Sequence, residues 1–289
     1  MPVVANFAPI VARAETEALT GDAARTLTVL RDLPLADFMT ILFTLPDPSL
    51  PGISAVLPRM ASEEVQRAWH GSAGEANLRG TVEFGSLLAY LYAKLQRQPL
   101  DGKRLLDFGC GYGRNTRLFS YFSNPDAIFA CDPWDEALRL CREAGLLGTI
   151  AQSDYLPQTL PFGDTLFDLI IAWSVFTHTS ERATRAALGA LRRSIAPDGL
   201  AMITVRPEDY WPVHFPNDPG RALALTEAHR ESGFAFSPHN RAPVDGDITY
   251  GDCSMSFTWL AANSPEWSVT HIDRCYRDRT QLLVFMRPV

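Results

Sequence analysis

One stretch constrains this chain more than any other: Leu105-Leu106-Asp107-Phe108-Gly109-Cys110-Gly111-Tyr112-Gly113-Arg114-Asn115. An apolar run ends in an acid, glycines follow at alternate positions, and helical spacing continues through Thr116, Leu118 and Phe119. The pattern predicts a buried strand, a tight turn and a helix in succession. Without Cβ atoms at 109, 111 and 113, the backbone can bend sharply and a ligand can lie directly against it. The helix N-terminus that follows offers unpaired N–H groups to a polar ligand group. A glycine-rich turn with no ligand satisfies the same pattern, so the residues downstream decide.

Ala127 to Cys131 reads as a short strand ending at Asp132, with Pro133 and Trp134 behind it. An acid at the tip of the next parallel strand can accept hydrogen bonds from both hydroxyls of a ribose. The alternative is an N-cap for a helix over Glu136 to Ala144. A third strand runs from Thr149 toward Asp154 and Tyr155. A fourth, Phe167-Asp168-Leu169-Ile170-Ile171-Ala172-Trp173-Ser174-Val175-Phe176-Thr177-His178, is apolar enough for burial on both faces. Leu191 to Leu200 then turns a helix into the strand Ala201 to Val205.

Taken in order, these segments resemble the motifs of the class I S-adenosylmethionine (SAM) dependent methyltransferases. Dinucleotide enzymes space their glycines as G-x-G-x-x-G, whereas this chain has D-x-G-x-G-x-G. The turn at Pro197-Asp198-Gly199 departs slightly from the family's proline-glycine-glycine. The resemblance covers roughly residues 80–289. It implies an α/β, Rossmann-like seven-stranded sheet, mostly parallel with an antiparallel last strand, and a helical N-terminal cap. It also implies SAM as cofactor and S-adenosylhomocysteine as product.

The cofactor positions it implies are Asp107, Gly109, Cys110, Gly111, Gly113, Asp132, Pro133, Trp134, Asp154, Tyr155, Ala172, Trp173 and Ser174. A turn-forming role for Asp154 and a plain core-strand role for Ala172 to Ser174 stay open. His178 is the catalytic candidate, a proton acceptor for a hydroxyl nucleophile just past a strand tip. The alternative is that it caps or packs the helix from Glu181. No Asn/Asp-Pro-Pro-Tyr/Phe run and no Pro-Cys pair follows the fourth strand, so the expected acceptor is a small molecule, methylated at oxygen.

The formal charge of −7 and pI near 5.4 argue against broad nucleic-acid or anionic-membrane binding. No apolar run approaches the ~20 residues of a membrane span, and Met1 to Asn6 lacks the start of a secretory signal. Five cysteines with no C-x-x-C pair suit reduced thiols in a cytoplasmic protein, and no metal is expected. The expected partners are a small-molecule acceptor, no nucleic acid and no membrane, with a homodimer left open.

Ahead of the glycine stretch, residues 12–32 carry one helical stripe and Leu35 to Phe43 a second. Prolines 46, 48 and 51 predict a loop over 45–57. Ser62-Glu63-Glu64 starts a helix that Gly71-Ser72-Ala73-Gly74 interrupts, and another runs through Phe84 to Leu95. Residues 1–80 are therefore expected as a helical cap and 81–289 as the methyltransferase domain. Trp69, beside His70 and Arg79, is either a lid residue facing substrate or a core residue.

Residues 206–250 form a proline- and aromatic-rich insert with one helix, Arg221 to Ser232. Arg206, Tyr210, Trp211 and His214 are its substrate-facing candidates. Ser256 to Ala262 reads as a helix, and Trp267 to Ile272 with Gln281 to Arg287 as a closing hairpin. Three rivals stand beside this account: a catalytically silent SAM-binding protein, a nicotinamide (NAD) dependent oxidoreductase and a nucleic-acid methyltransferase.

Overall fold

The computed structural model describes residues 7–275 and 278–289. The reading of Met1 to Asn6, and Tyr276 and Arg277 of the expected hairpin linker, lie outside the described residues. The chain divides into two compact units, one reaching Gln152 and one starting at Ser153.

The first unit opens with six helices: α1 Ala8–Ala18, α2 Ala23–Leu30, α3 Leu35–Thr44, α4 Pro51–Val56, α5 Glu63–His70 and α6 Gly74–Gln96. The expected single stripe over 12–32 is two helices, because Gly21 turns the chain at φ +77° and Asp22 caps the second by accepting from Arg25 N–H at 3.0 Å. The expected loop over 45–57 contains α4. Pro51 starts this helix, where its missing N–H costs nothing, and the Glu15 carboxylate accepts from Gly52 and Ile53 N–H at 2.8 and 3.0 Å. A residue read as a breaker is here an initiator, capped by a side chain from α1. Helix α6 runs unbroken through the boundary expected at 80/81.

Then come β1 Leu105–Phe108, α7 Arg114–Phe119, β2 Ile128–Asp132, α8 Asp135–Glu143 and β3 Thr149–Gln152. β1 pairs with β2 and β2 with β3, both parallel, with Leu105 opposite Ile128 and Phe129 opposite Thr149. Leu105, Leu106, Ile128 and Ala130 have no exposed surface.

The second unit holds β4 Phe167–Ala172, α9 Glu181–Ser194, β5 Ile195–Val205, α10 Tyr210–His214, α11 Pro219–Ser232, β6 Phe234–Pro238, β7 Gly251–Met255, α12 Phe257–Asn263, β8 Trp267–Arg274 and β9 Leu282–Pro288. β4 and β5 are parallel, whereas β5–β9 and β8–β9 are antiparallel. Leu169, Ile170 and Ile171 of β4 are fully buried, each stabilising the fold by about 1.5–3 kcal/mol. Seven strands form one mixed sheet in the order β3-β2-β1-β4-β5-β9-β8, the fold class expected from the motifs. β6 and β7 form a separate antiparallel pair. Their pairing gives the 206–250 insert more structure than its single expected helix, since α10 and β6 lie within it.

Candidate active site

In the first unit the glycine turn is held from three sides. Gly109 and Cys110 N–H both donate to the carbonyl of Cys131 on β2, at 2.8 and 3.1 Å. The Asp107 carboxylate accepts from the Thr116 hydroxyl at 2.6 Å, tying the strand end to α7. Burial pushes the Asp107 carboxyl up to about 6, and the Thr116 bond and Arg114 oppose that rise. From below, the fully buried Arg117 donates to the carbonyls of Tyr112, Gly113 and Arg59 at 2.7, 2.9 and 2.7 Å. Burial lowers this guanidinium to about 10, so it stays charged at neutral pH.

Two of the glycines are required by space as well as by turn geometry. Gly113 sits at φ +79°, and a Cβ there would meet Leu146 Cδ2 at 2.3 Å. Gly111 sits at φ +56°, and a Cβ there would meet the Trp69 indole at 3.2 Å. An aromatic plane therefore lies against bare backbone at this position.

Asp132, almost fully buried, closes the turn. One carboxylate oxygen accepts from Gly111 N–H at 3.0 Å and the other from Trp134 N–H at 2.9 Å. Burial raises its carboxyl, and those two N–H donors work against the rise. Each oxygen keeps a second lone pair for a further donor. Trp134 stacks on Trp69, with ring centroids 4.8 Å apart and planes 21° from parallel. Gln66 on α5 accepts from the Asn77 amide, which also donates to the Tyr112 hydroxyl, both at 2.9 Å. The helices ahead of the turn are thus bonded to it, a feature no local sequence signal announced. The second lone pairs of the Asp132 carboxylate suit a ligand that carries vicinal hydroxyls.

In the second unit a different cluster forms around Asp252 on β7. Its Oδ1 accepts from Arg206 at 2.6 Å and from the Tyr210 hydroxyl at 2.9 Å, and its Oδ2 from His239 Nε2 at 2.7 Å. Burial pushes this carboxyl up, but the His239 bond and the charge of Arg206 outweigh it and bring it down to about 2. Arg206 also donates to the Thr177 carbonyl at 2.9 Å and lies 4.0 Å over the Tyr210 ring.

His178 places Nδ1 2.8 Å from the Gly251 carbonyl and Nε2 3.4 Å from Arg206 Nη2. A carbonyl only accepts and a guanidinium only donates, so Nδ1 carries the proton and Nε2 the lone pair. Burial and then the Arg206 charge lower this imidazole to about 4. Three of the four insert candidates, Arg206, Tyr210 and His214, converge here with His178. Trp211 does not, since it is fully buried and donates its indole N–H to Ser254.

Asp154 and Tyr155 are exposed in the loop after β3, and Ala172 is buried at the end of β4. Ser174 adopts φ +55° with its N–H on the Thr204 hydroxyl at 2.7 Å. The motifs did not point to Asp252, His239 or Tyr250. A polar alternation, Asp252 and Ser254 on one face of a strand, was the available signal.

Residues 105–199 match the family model described as a methyltransferase domain. Among solved structures, an S-adenosylmethionine-dependent methyltransferase from Clostridium acetobutylicum is 12% identical. That match covers 78% of this chain and 96% of the other, with a TM-score of 0.51, and the likeness is one of fold. The glycopeptide N-methyltransferase MtfA complexed with sinefungin is also 12% identical, over 71% of this chain and 94% of its own, with a TM-score of 0.48. The protein PH0226 from Pyrococcus horikoshii is 14% identical over 72% and 92%, with a TM-score of 0.47. No curated protein matches the sequence. Among the described residues, no helix is long and apolar enough to cross a membrane, and no group of histidines, cysteines or acids is arranged to hold a metal.

The environment of His178 has a consequence for stability. Its folded value, about 4, lies below the usual 6.5, so between those pH values the unfolded chain binds the extra proton. Stability should therefore fall as pH drops from about 6.5 to about 4. Urea unfolding across this range should show a shallower acid loss in His178→Gln than in the parent. Equal slopes would contradict the assigned environment.

Proposed function

We propose that this chain is a SAM-dependent methyltransferase that transfers a methyl group to an oxygen of a small-molecule acceptor. The observation that carries the reading is the glycine turn closed by Asp132. Its carboxylate accepts one N–H on each oxygen, which leaves a second lone pair on each, and the Gly111 backbone beside it lies against the Trp69 indole. Asp132 would hold the ribose hydroxyls, the turn backbone would lie along the cofactor, and Pro133 and Trp134 would flank the base. SAM supplies a methyl on a positively charged sulfur, which a nucleophile displaces in line, so alignment and exclusion of water account for much of the rate.

The acceptor role falls to the second unit's cluster of His178, Arg206, Tyr210 and His214. Its neutral imidazoles and one buried cation suit a polar hydroxyl compound better than a nucleic acid, and the charge of −7 supports the same choice. The five buried cysteines, none in a disulfide, fit a reducing cytoplasmic setting.

The test is incubation with methyl-tritiated SAM and a panel of phenols, hydroxy acids and alcohols, with primary amines as the contrast set. Label transferred to hydroxyl compounds, with S-adenosylhomocysteine formed in equal amount, is the expected result. Label on amines alone would overturn oxygen as the acceptor atom. No transfer despite SAM binding would favour the silent binding protein.

A further inference from the structure

Within the first unit, one side chain covers the surface that the SAM reading gives to the nucleoside. Asp132 accepts from the N–H groups of Gly111 and Trp134, and the Trp69 indole lies against both of those residues. A Cβ at Gly111 would meet Trp69 Cε3 at 3.2 Å and Cζ3 at 3.3 Å. The same indole stacks on Trp134, with ring centroids 4.8 Å apart and planes 21° from parallel. Near-parallel rings at that spacing are in contact, so no third ring fits between them. Tyr112 meets the indole from another side, edge to face at 6.3 Å. Trp69 therefore fills the space that a flat aromatic base would fill if it lay along this backbone and against Trp134.

The helix that carries Trp69 is lightly held. Of the eight residues of α5 only Gln66 is buried. Gln66 is also its polar anchor: its amide donates to the Ala61 carbonyl at 2.8 Å, and its oxygen accepts from Gly74 N–H at 3.1 Å and from Asn77 at 2.9 Å. Trp69 lies one turn beyond that anchor. The chain then runs through Gly71-Ser72-Ala73-Gly74, with φ of +69° and +55° at its two glycines, and nothing stands within 4 Å of a Cβ placed on Gly71. A short helix with a single buried side chain, followed by a link that ends in glycine on both sides, is the kind of element that opens locally at low cost.

We propose that Trp69 is a displaceable gate on the cofactor seat: its indole holds the place of the base and swings out with the end of α5 as the nucleoside enters. The proposal rests on the SAM reading of the turn. Entry exchanges one aromatic face on Trp134 for another. A ligand with an aromatic base recovers the stacking that opening costs, and a bare sugar does not, so the gate selects for the base. An aromatic pair contributes about two- to tenfold to an equilibrium constant, and the closed fraction lowers the apparent affinity accordingly.

Two measurements on the full chain test this, both with S-adenosylhomocysteine. Stacked indoles couple in far-ultraviolet circular dichroism, so the parent without ligand should show a couplet that Trp69→Phe and Trp134→Phe both lack. Saturating S-adenosylhomocysteine should remove it, and that loss is read in the parent, whatever the variants do to folding. In calorimetric titration, Trp69→Ala should bind S-adenosylhomocysteine about two- to tenfold more tightly than the parent, with Trp69→Phe between the two.

A couplet that persists at saturation overturns the gate. So does an affinity in Trp69→Ala equal to or below that of the parent, which would make Trp69 a wall of the site or no part of it. In both cases binding that Asp132→Ala weakens leaves the SAM reading standing. Binding seen in Trp69→Ala and not in the parent supports gate and reading together. Binding in neither chain removes the reading of the turn, and the gate with it.

Discussion

Asp132→Ala should weaken S-adenosylhomocysteine binding about a hundredfold, a loss of about 2.7 kcal/mol. The variant removes a carboxylate that would receive two ribose hydroxyls, and hydrogen bonds to a charged group contribute about 1.5–3 kcal/mol each. It also frees the N–H groups of Gly111 and Trp134, which Asp132 now satisfies. Part of the effect should therefore appear as a looser turn, read as a lower unfolding midpoint without ligand. Asp132→Asn keeps the volume and one acceptor oxygen, so its binding should fall between the two. Calorimetric titration separates these contributions, and unchanged affinity in Asp132→Ala would remove the ribose role.

The second large effect belongs to Asp252→Ala, which should cost about 3–5 kcal/mol in urea unfolding. Its partner Arg206 is 9% exposed, and without the carboxylate that cation stays buried with only neutral acceptors, the Thr177 carbonyl at 2.9 Å and His178 Nε2 at 3.4 Å. The Tyr210 hydroxyl and His239 Nε2 lose their acceptor as well. The pH dependence follows from the same group. Its folded value, about 2, lies below the usual 3.8, so its stabilising effect is present above about pH 4 and is lost as pH falls toward 2. The alanine variant should lack that part of the acid loss. A variant as stable as the parent at neutral pH would contradict the ion pair's place in the core.

The two halves of this chemistry were unequally legible in the sequence. The glycine turn was readable because its requirements are local. Gly111 and Gly113 need positive φ and open space, and Asp132 ends a short apolar strand one crossover on, so spacing alone carries the pattern. The second cluster is built from four separated segments, around His178, Arg206 to His214, His239 and Asp252. Only β6–β7 pairing, with Ser237 opposite Asp252, brings the last two together. β7 reads Gly-Asp-Cys-Ser-Met, whose polar alternation is two residues long, too short to mark a strand or to single out the acid. Pro51 misled for a related reason: its role as the first residue of α4 depends on Glu15, which reaches it from α1. Where a residue's partner lies far along the chain, local pattern gives the residue type but not its task.

The central claim is that the glycine turn and Asp132 bind a sulfonium nucleoside rather than a nicotinamide dinucleotide. Calorimetric titration of the purified chain with SAM, S-adenosylhomocysteine and NADH tests it most directly. Micromolar binding of the first two, with no heat from NADH, is the predicted result. Binding of NADH alone would contradict the account and return the turn to the dinucleotide enzymes.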